Sequence, residues 1–329
     1  MKLLIAYDGS NCSEAALDDL VRAGLPQNAE ALVLSVAEVW LPPPPSVNGS
    51  ADDKYADELK NNPALNKSYE HGAKILSEAK TFVQHAQKRL KHHFPSWKIE
   101  TDVGSGSPAW EILKRADQYD PDLIVVGSHG RSIINRLILG SISNKILTEA
   151  KCSVRIARGK IELDEPLAPE RILLGFDGSP GAQAAVSAIA GREWREGAEV
   201  RLAAASDPLV PSAIGRFVQP VVNWVEEEQQ TERRWIEKLA QESIQILESS
   251  GLNATIHIQT GNPRHVLVEE AEKWHADQIF VGANATGGQL ERFLLGSVSA
   301  AVAARAHCSV EVIRRKNEIA GDFNDGTNN

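Results

Sequence analysis

Cysteine, uninterrupted apolar sequence and positive charge are all scarce in this chain of 329 residues. Its three cysteines, Cys12, Cys152 and Cys308, are odd in number and far apart. That spacing excludes a disulfide framework and a zinc-ligand cluster and suits a reducing compartment. Cys152 and Cys308 are expected to pack as small core groups. No segment reaches the roughly 18 consecutive apolar residues that a membrane-crossing helix needs. The apolar start MKLLIAY stops at Asp8, too soon for a signal peptide. A cytoplasmic protein without a membrane partner is therefore expected. Lys and Arg number 35 against 44 Asp and Glu, a formal net charge of -9, so nucleic acid is not expected as a partner either.

Familiar catalytic signatures are missing as well. There is no GxxxxGK[ST] loop, no GxGxxG after the first apolar run, and no evident Ser-His-Asp or Cys-His arrangement. No catalytic residue and no metal ligand is therefore assigned. What remains is ordinary globular material, 42% hydrophobic and 24% charged, in a length that suits two domains.

The chain is written twice. LLIAYDGSNCSEAAL (3–17) matches ILLGFDGSPGAQAAV (172–186), and GSPAWEILKRADQYDPDLIVVG (106–127) matches GNPRHVLVEEAEKWHADQIFVG (261–282). LILGSISNKI (137–146) matches FLLGSVSAAV (293–302), and CSVRIAR and CSVEVIR close the two copies. A unit of this length is a domain and not a solenoid repeat. The expected organisation is a first domain over 1–158, a linker over 159–170, a second domain over 171–316, and a disordered tail over 317–329. The first copy is longer in its middle, where Pro42-Pro43-Pro44-Pro45 and the stretch to Asn61 read as an irregular loop.

Within a copy, short runs such as LLIAY, EALVLSV, KIETDV, DLIVVG and SVRIA favour strands, and longer segments of helical period lie between them. Around residues 69–94, Ile75, Leu76, Ala79, Phe82, Val83, Ala86 and Leu90 share one stripe. His71, His85, His92 and His93 on the same segment do not make a facing metal pair and read as solvated or capping groups. Ser107-Pro108, Ser179-Pro180 and Asn262-Pro263 each offer a capping acceptor followed by proline at the first helical position. The alternation implies an α/β fold of two tandem doubly wound domains. Each has a five-stranded, mainly parallel sheet with helices on both faces.

In such sheets ligands settle beyond the carboxyl ends of the strands, where the strand order reverses. The loops leaving LLIAY and DLIVVG lie there. Gly127 and Gly130 are expected to turn the chain sharply and bring bare amides to a ligand. Gly140-Ser141 heads a helix whose unpaired amides, with the hydroxyls of Ser141 and Ser143, suit phosphate oxygens. Asp8 has two readings, an acceptor for a sugar hydroxyl or metal, and a brace for its own Asp-Gly-Ser turn. The glycines likewise read as ligand cradle or as close strand-helix packing, and Arg131 as a phosphate or a solvent contact. His129 has no partnered acid or nucleophile to make it catalytic.

Asp8-Gly9-Ser10 after the first strand, and Gly127, Gly130, Gly140 and Ser141 in the spacing G-x2-G-x9-G-[ST] after the fourth, resemble the universal stress protein family. The resemblance covers nearly the whole chain, twice. It implies the strand order 3-2-1-4-5, a role in stress response, and a site for ATP, with or without Mg2+. It places Asp8 near ribose, the backbone at Val36 near adenine, Gly127 and Gly130 along ribose and phosphates, and Gly140 with Ser141 at the outer phosphates. Gly9, Ser10, Ser128, His129, Arg131, Ile142 and Ser143 complete that expected site. A weaker second site is expected at Asp177, Ser179, Gly282, Gly296, Ser297 and Ser299, because Ala285 replaces Gly130 and the following interval is one residue longer. The closing strands are expected to join the copies as an internal pseudo-dimer, with a homodimer and an unidentified protein partner also open. The alternatives are a nucleotide-independent scaffold and a slow ATPase.

Overall fold

Leu3, Leu4 and Ile5, and likewise Leu123, Ile124 and Val125, are all 0% exposed. Strands apolar on successive residues have no face to offer water, so both faces must be covered, as in the middle of a parallel sheet. These runs form β1 (Lys2–Ala6) and β4 (Leu123–Gly127), which pair in parallel with Leu3 opposite Leu123. The structure, a computed structural model, describes residues 1–39, 63–129, 139–158, 168–206, 219–283 and 295–315. The expected proline-rich loop, linker residues 159–167 and the tail over 317–329 lie outside those residues.

Adding β2 (Glu30–Ala37), β3 (Lys98–Ser105) and β5 (Ser153–Ala157) completes a parallel half in the order β3-β2-β1-β4-β5. The second half repeats that order with β6 (Arg171–Gly175), β7 (Glu199–Ser206), β8 (Asn253–Thr260), β9 (Gln278–Gly282) and β10 (Ser309–Ile313). Strands β5 and β10 pair antiparallel, so the halves share one 10-stranded sheet, β3-β2-β1-β4-β5-β10-β9-β6-β7-β8.

The helices of the first half are α1 (Asn11–Asp19), α2 (Pro63–His93), α3 (Pro108–Tyr119) and α4 (Ser141–Glu149). Those of the second are α5 (Pro180–Ala190), α6 (Gln219–Ser249), α7 (Pro263–Lys273) and α8 (Ser297–Arg305). The apolar stripe of α2 faces the sheet, with Ala79, Val83, Ala86 and Leu90 buried. Two of the three expected caps form: Ser179 accepts from Ala182 N–H, and Asn262 from Arg264 N–H. Ser107 makes no side-chain cap, so its helix start depends on Pro108 having no amide hydrogen to satisfy.

The two faces of the sheet are organised differently. On one face, Leu4, Ile124, Ile146, Val154 and Ile156 of the first half and Ile279, Val302, Val310 and Val312 of the second belong to a single core. Cys152 is buried in it and Cys308 packs against it. On the other face, each half keeps its own core, under α1 and α2 in the first and under α5 and α6 in the second. Between those two cores runs a row of charges, Asp19, Arg155, Glu311 and Arg192. Burial alone would disfavour charge on Arg155, but Asp19 and Glu311 raise its pKa further. Outside the strands, the ring of Trp194 lies against Gly24, which sits at φ +61, and Glu193 N–H donates to Gly24 O at 3.0 Å.

Candidate functional site

Asp8-Gly9-Ser10 makes a tight connection from β1 into α1. Asp8 Oδ1 accepts from Ser10 N–H at 3.0 Å, and Ser10 Oγ then accepts from Ser13 N–H at 3.2 Å as the helix cap. Asp8 therefore does brace its own turn, the plainer of its two readings, and it also lines a cleft. Gly9 is needed on two counts: its φ is +72, and a Cβ there would lie 2.9 Å from the Phe82 ring. The second copy repeats the arrangement. Ser179 N–H donates to Asp177 Oδ1 at 3.0 Å, Ala182 N–H donates to Ser179 Oγ at 3.2 Å, and Gly178 has φ +72.

At the end of β4 Gly127 follows the second of its two readings, close strand-helix packing. Gly127 is still in the strand, paired with Ala157, and has no left-handed backbone to require glycine. A Cβ on it would sit 2.8 Å from Cys12 O, so its function is to let the start of α1 approach β4. Ser143 Oγ donates to Gly127 O at 2.7 Å, which commits the hydroxyl proton that had been expected at a phosphate. Gly140 N–H is likewise committed, to Ser128 O at 2.9 Å. The same three devices recur in the second half, with Gly282 against Gly181, Ser299 Oγ donating to Gly282 O, and Gly296 N–H donating to Ala283 O.

Among the described residues, the donors that remain at this corner are those of the helix start. Helix α4 begins after Gly140, which has no side chain and makes no side-chain cap. The amides of Ser141, Ile142 and Ser143 occupy the first turn, where no helical carbonyl can reach them. Next to them, the His129 imidazole is 6% exposed, with Nδ1 3.2 Å from Ser128 Oγ. Burial first, and Arg158 second, lower its pKa, which favours the neutral ring.

Between these elements lies a cleft of about 380 Å3 at the carboxyl ends of β1 and β4, where the strand order reverses. Asp8, Val36, Gly127, His129, Ile142 and Ser143 line it; Gly9, Ser10, Ser128, Gly140 and Ser141, expected in the same site, are not among its lining residues. Gly130 and Arg131 lie outside the described residues. Sequence reasoning missed Tyr7, Leu34, Ile112, Glu38, Glu78 and Phe82, all lining residues. Phe82 had signalled itself only as part of the core stripe of α2, and Glu38 and Glu78 carried no local signal at all. Tyr7 is 3% exposed and donates its hydroxyl to Glu14; burial and that carboxylate raise its pKa well above the usual phenol range. A second cleft of about 330 Å3 is lined by Asp177, Ser179, Gly282, Gly296, Ser297 and Ser299, all six residues expected there.

The lining of the first cleft carries carboxylates at Asp8, Glu38 and Glu78 and, among the described residues, no Lys or Arg. Backbone amides and the positive end of the α4 dipole are thus its means of attracting an anion. Among the described residues, no group of His, Cys, Asp and Glu is arranged to hold a metal by itself, and no helix is long and apolar enough to cross a membrane.

Comparison with known proteins bears on both halves. The chain is 35% identical over 159 residues to the universal stress protein YxiE of Bacillus subtilis, a match that covers 48% of this chain and 98% of that one. It is 29% identical over 223 residues to a universal stress protein of Mycolicibacterium smegmatis, covering 66% of this chain and 69% of the relative. The crystal structure of a universal stress protein from Archaeoglobus fulgidus shares the fold with a TM-score of 0.57 at 20% identity, over 96% of this chain and 97% of the other. Residues 1–158 and 169–314 match the sequence pattern of the universal stress protein family, and the chain, with two such domains in tandem, belongs to that family.

Proposed function

We infer that the chain binds an adenine nucleotide, ATP foremost, in the cleft of its first half and acts as a regulatory protein of the stress response. The observation that carries this reading is the first turn of α4, which Gly140 leaves without a side-chain cap, opening on a cleft that Asp8 also lines. Unpaired amides at a helix start suit phosphate oxygens, a carboxylate accepts a ribose hydroxyl, and Leu34, Val36 and Ile112 offer apolar surface to a base. The three carboxylates of the lining oppose a bare triphosphate. Mg2+ carried with ATP lowers that repulsion, and Arg131 is the side chain assigned to the phosphates. Occupancy then biases a conformation or a contact with a protein partner.

The second cleft is the weaker site. Phe176 N–H donates to Ala203 O as Tyr7 N–H does to Leu34 O, so Ala203 stands where the first half has Leu34, and Ala205 where it has Val36. The wall available to a base is correspondingly smaller. Ala285, in the place of Gly130, lies outside the described residues.

The test starts from the purified chain. It is denatured, any released nucleotide is identified, and ATP is titrated into the parent and into Val36→Trp, which fills the base wall without touching the amides of α4. The variant is expected to bind ATP about tenfold or more weakly, the loss of roughly 1.4 kcal/mol or more of contact, with unchanged circular dichroism. A parent that binds no adenine nucleotide up to millimolar concentration leaves the nucleotide-independent scaffold. Phosphate release above background that Asp8→Ala abolishes makes the protein a slow ATPase.

A further inference from the structure

The junction between the halves is symmetric except at its centre. Ser153, Val154, Ile156 and Arg158 correspond in the repeat to Ser309, Val310, Val312 and Arg314, and their contacts across β5 and β10 are reciprocal. Ser153 Oγ accepts from Arg314 N–H at 3.1 Å, and Ser309 Oγ accepts from Arg158 N–H at 2.9 Å. The Arg158 guanidinium donates to Ala306 O at 2.7 Å, just past α8, while Arg314 donates to Leu147 O at 2.6 Å in α4. Each half thus reaches the last helix of the other. A local twofold axis passes where position 155 faces position 311.

On that axis stand Arg155 and Glu311, both 0% exposed, with Nη1 3.2 Å from Oε2. Asp19 Oδ2 lies 2.6 Å from Arg155 Nε, and Arg192 Nη1 donates to Glu311 Oε2 at 3.0 Å. The row from Asp19 to Arg192 therefore alternates in sign. Its neighbours cannot discriminate partners: Val154 and Ile156 meet Val312 and Val310, and a second copy of β5 would offer an almost identical Val and Ile.

A residue on a twofold axis meets its own copy in any like-with-like assembly. Two β5 strands in this register would bury Arg155 against Arg155, and two β10 strands Glu311 against Glu311, where water neither hydrates nor screens them. We propose that Arg155 and Glu311 are the specificity determinants of this surface, so that each closing strand accepts the unlike half and rejects a second copy of itself. The partner that fits β5 is β10 of the same chain or, when the junction opens, β10 of another copy.

Two reversals in the full-length chain test this. Arg155→Glu leaves Glu at both positions, and Glu311→Arg leaves Arg at both. Each alone is expected to lose the parent's assembly state by native mass spectrometry and to unfold about 10 °C or more below it. Refolded together, the two are expected to form a mixed species of equal parts that neither forms alone. There β5 of the Glu311→Arg copy meets β10 of the Arg155→Glu copy and remakes the parent pair with Asp19 and Arg192 in place. A loss of stability without pairing specificity does not produce that rescue. Reversals that keep the parent's assembly state and midpoint overturn the proposal, and so does a mixture that yields no mixed species. The neutral variant Arg155→Gln/Glu311→Gln is expected to keep its circular dichroism spectrum and to self-associate beyond the parent as concentration rises. Failure to do so shows that charge on the axis does not set the pairing.

Discussion

Gly127 and Gly282 are glycines for want of space. A methyl group on Gly127 would lie 2.8 Å from Cys12 O, and one on Gly282 would lie 2.4 Å from the carbonyl carbon of Gly181. In both places the obstacle is backbone, which cannot rotate aside as a side-chain tip can, so helix and strand must separate. Gly127→Ala is expected to cost about 1–3 kcal/mol, the usual range for overpacking, and Gly282→Ala more, because its contact is closer. Urea unfolding of the two variants checks the order; a Gly282→Ala protein as stable as the parent would show that α5 does not need to lie so near β9. Ser143 belongs to the same account. Its hydroxyl ties α4 to the carbonyl of Gly127, so strand end, incoming helix and outgoing helix are fastened at one point.

Among elements, α1 and α4 both begin at the cleft but are finished differently. Helix α1 carries its own cap in Ser10, whereas α4 starts from a glycine with φ -61 and ψ 152, a backbone conformation that any residue can adopt. Glycine is therefore not required there by conformation, and its effect is to leave the first-turn amides available. Gly140→Asp supplies the missing cap and a negative charge in the place assigned to phosphate. The expected outcome is ATP affinity lower by about tenfold or more, with stability within roughly 1 kcal/mol of the parent, since the gain of a cap offsets the tight approach to Ser128 O at 3.3 Å. Calorimetric titration beside a thermal melt reads both quantities. Undiminished ATP binding would move the phosphate site away from α4.

At the scale of the molecule, the repeat produces one sheet with a core that crosses from half to half on one face and is divided on the other. Leu4 and Leu173, from the two halves, belong to the same cluster of buried side chains. Exposing one half strips the other of part of its core and opens two strand edges, and an unpaired edge is unfavourable in water as well as prone to aggregation. The halves are therefore expected to unfold together, in a single calorimetric transition whose measured and van't Hoff enthalpies agree. Two resolved transitions would mean that the shared face contributes little.

Much of this was legible in the residues themselves. The apolar runs of β1 and β4, the Asp-Gly-Ser turns, the caps at Ser179 and Asn262, and the duplication all follow from short-range chemistry: side-chain hydrophobicity, backbone conformational preference and hydrogen bonds a few residues apart. Strand order came with the family resemblance, because periodicity says that a strand is buried but not beside which neighbour. Tertiary structure alone decided the rest. It decided between the two readings of Gly127 in favour of packing, committed the Ser143 hydroxyl, brought Glu38 and Glu78 to the cleft, and set Arg155 opposite Glu311 across 156 residues of chain. Those outcomes depend on which surfaces the chain must hide together, and burial is a property of the closed sheet that no local window of sequence contains.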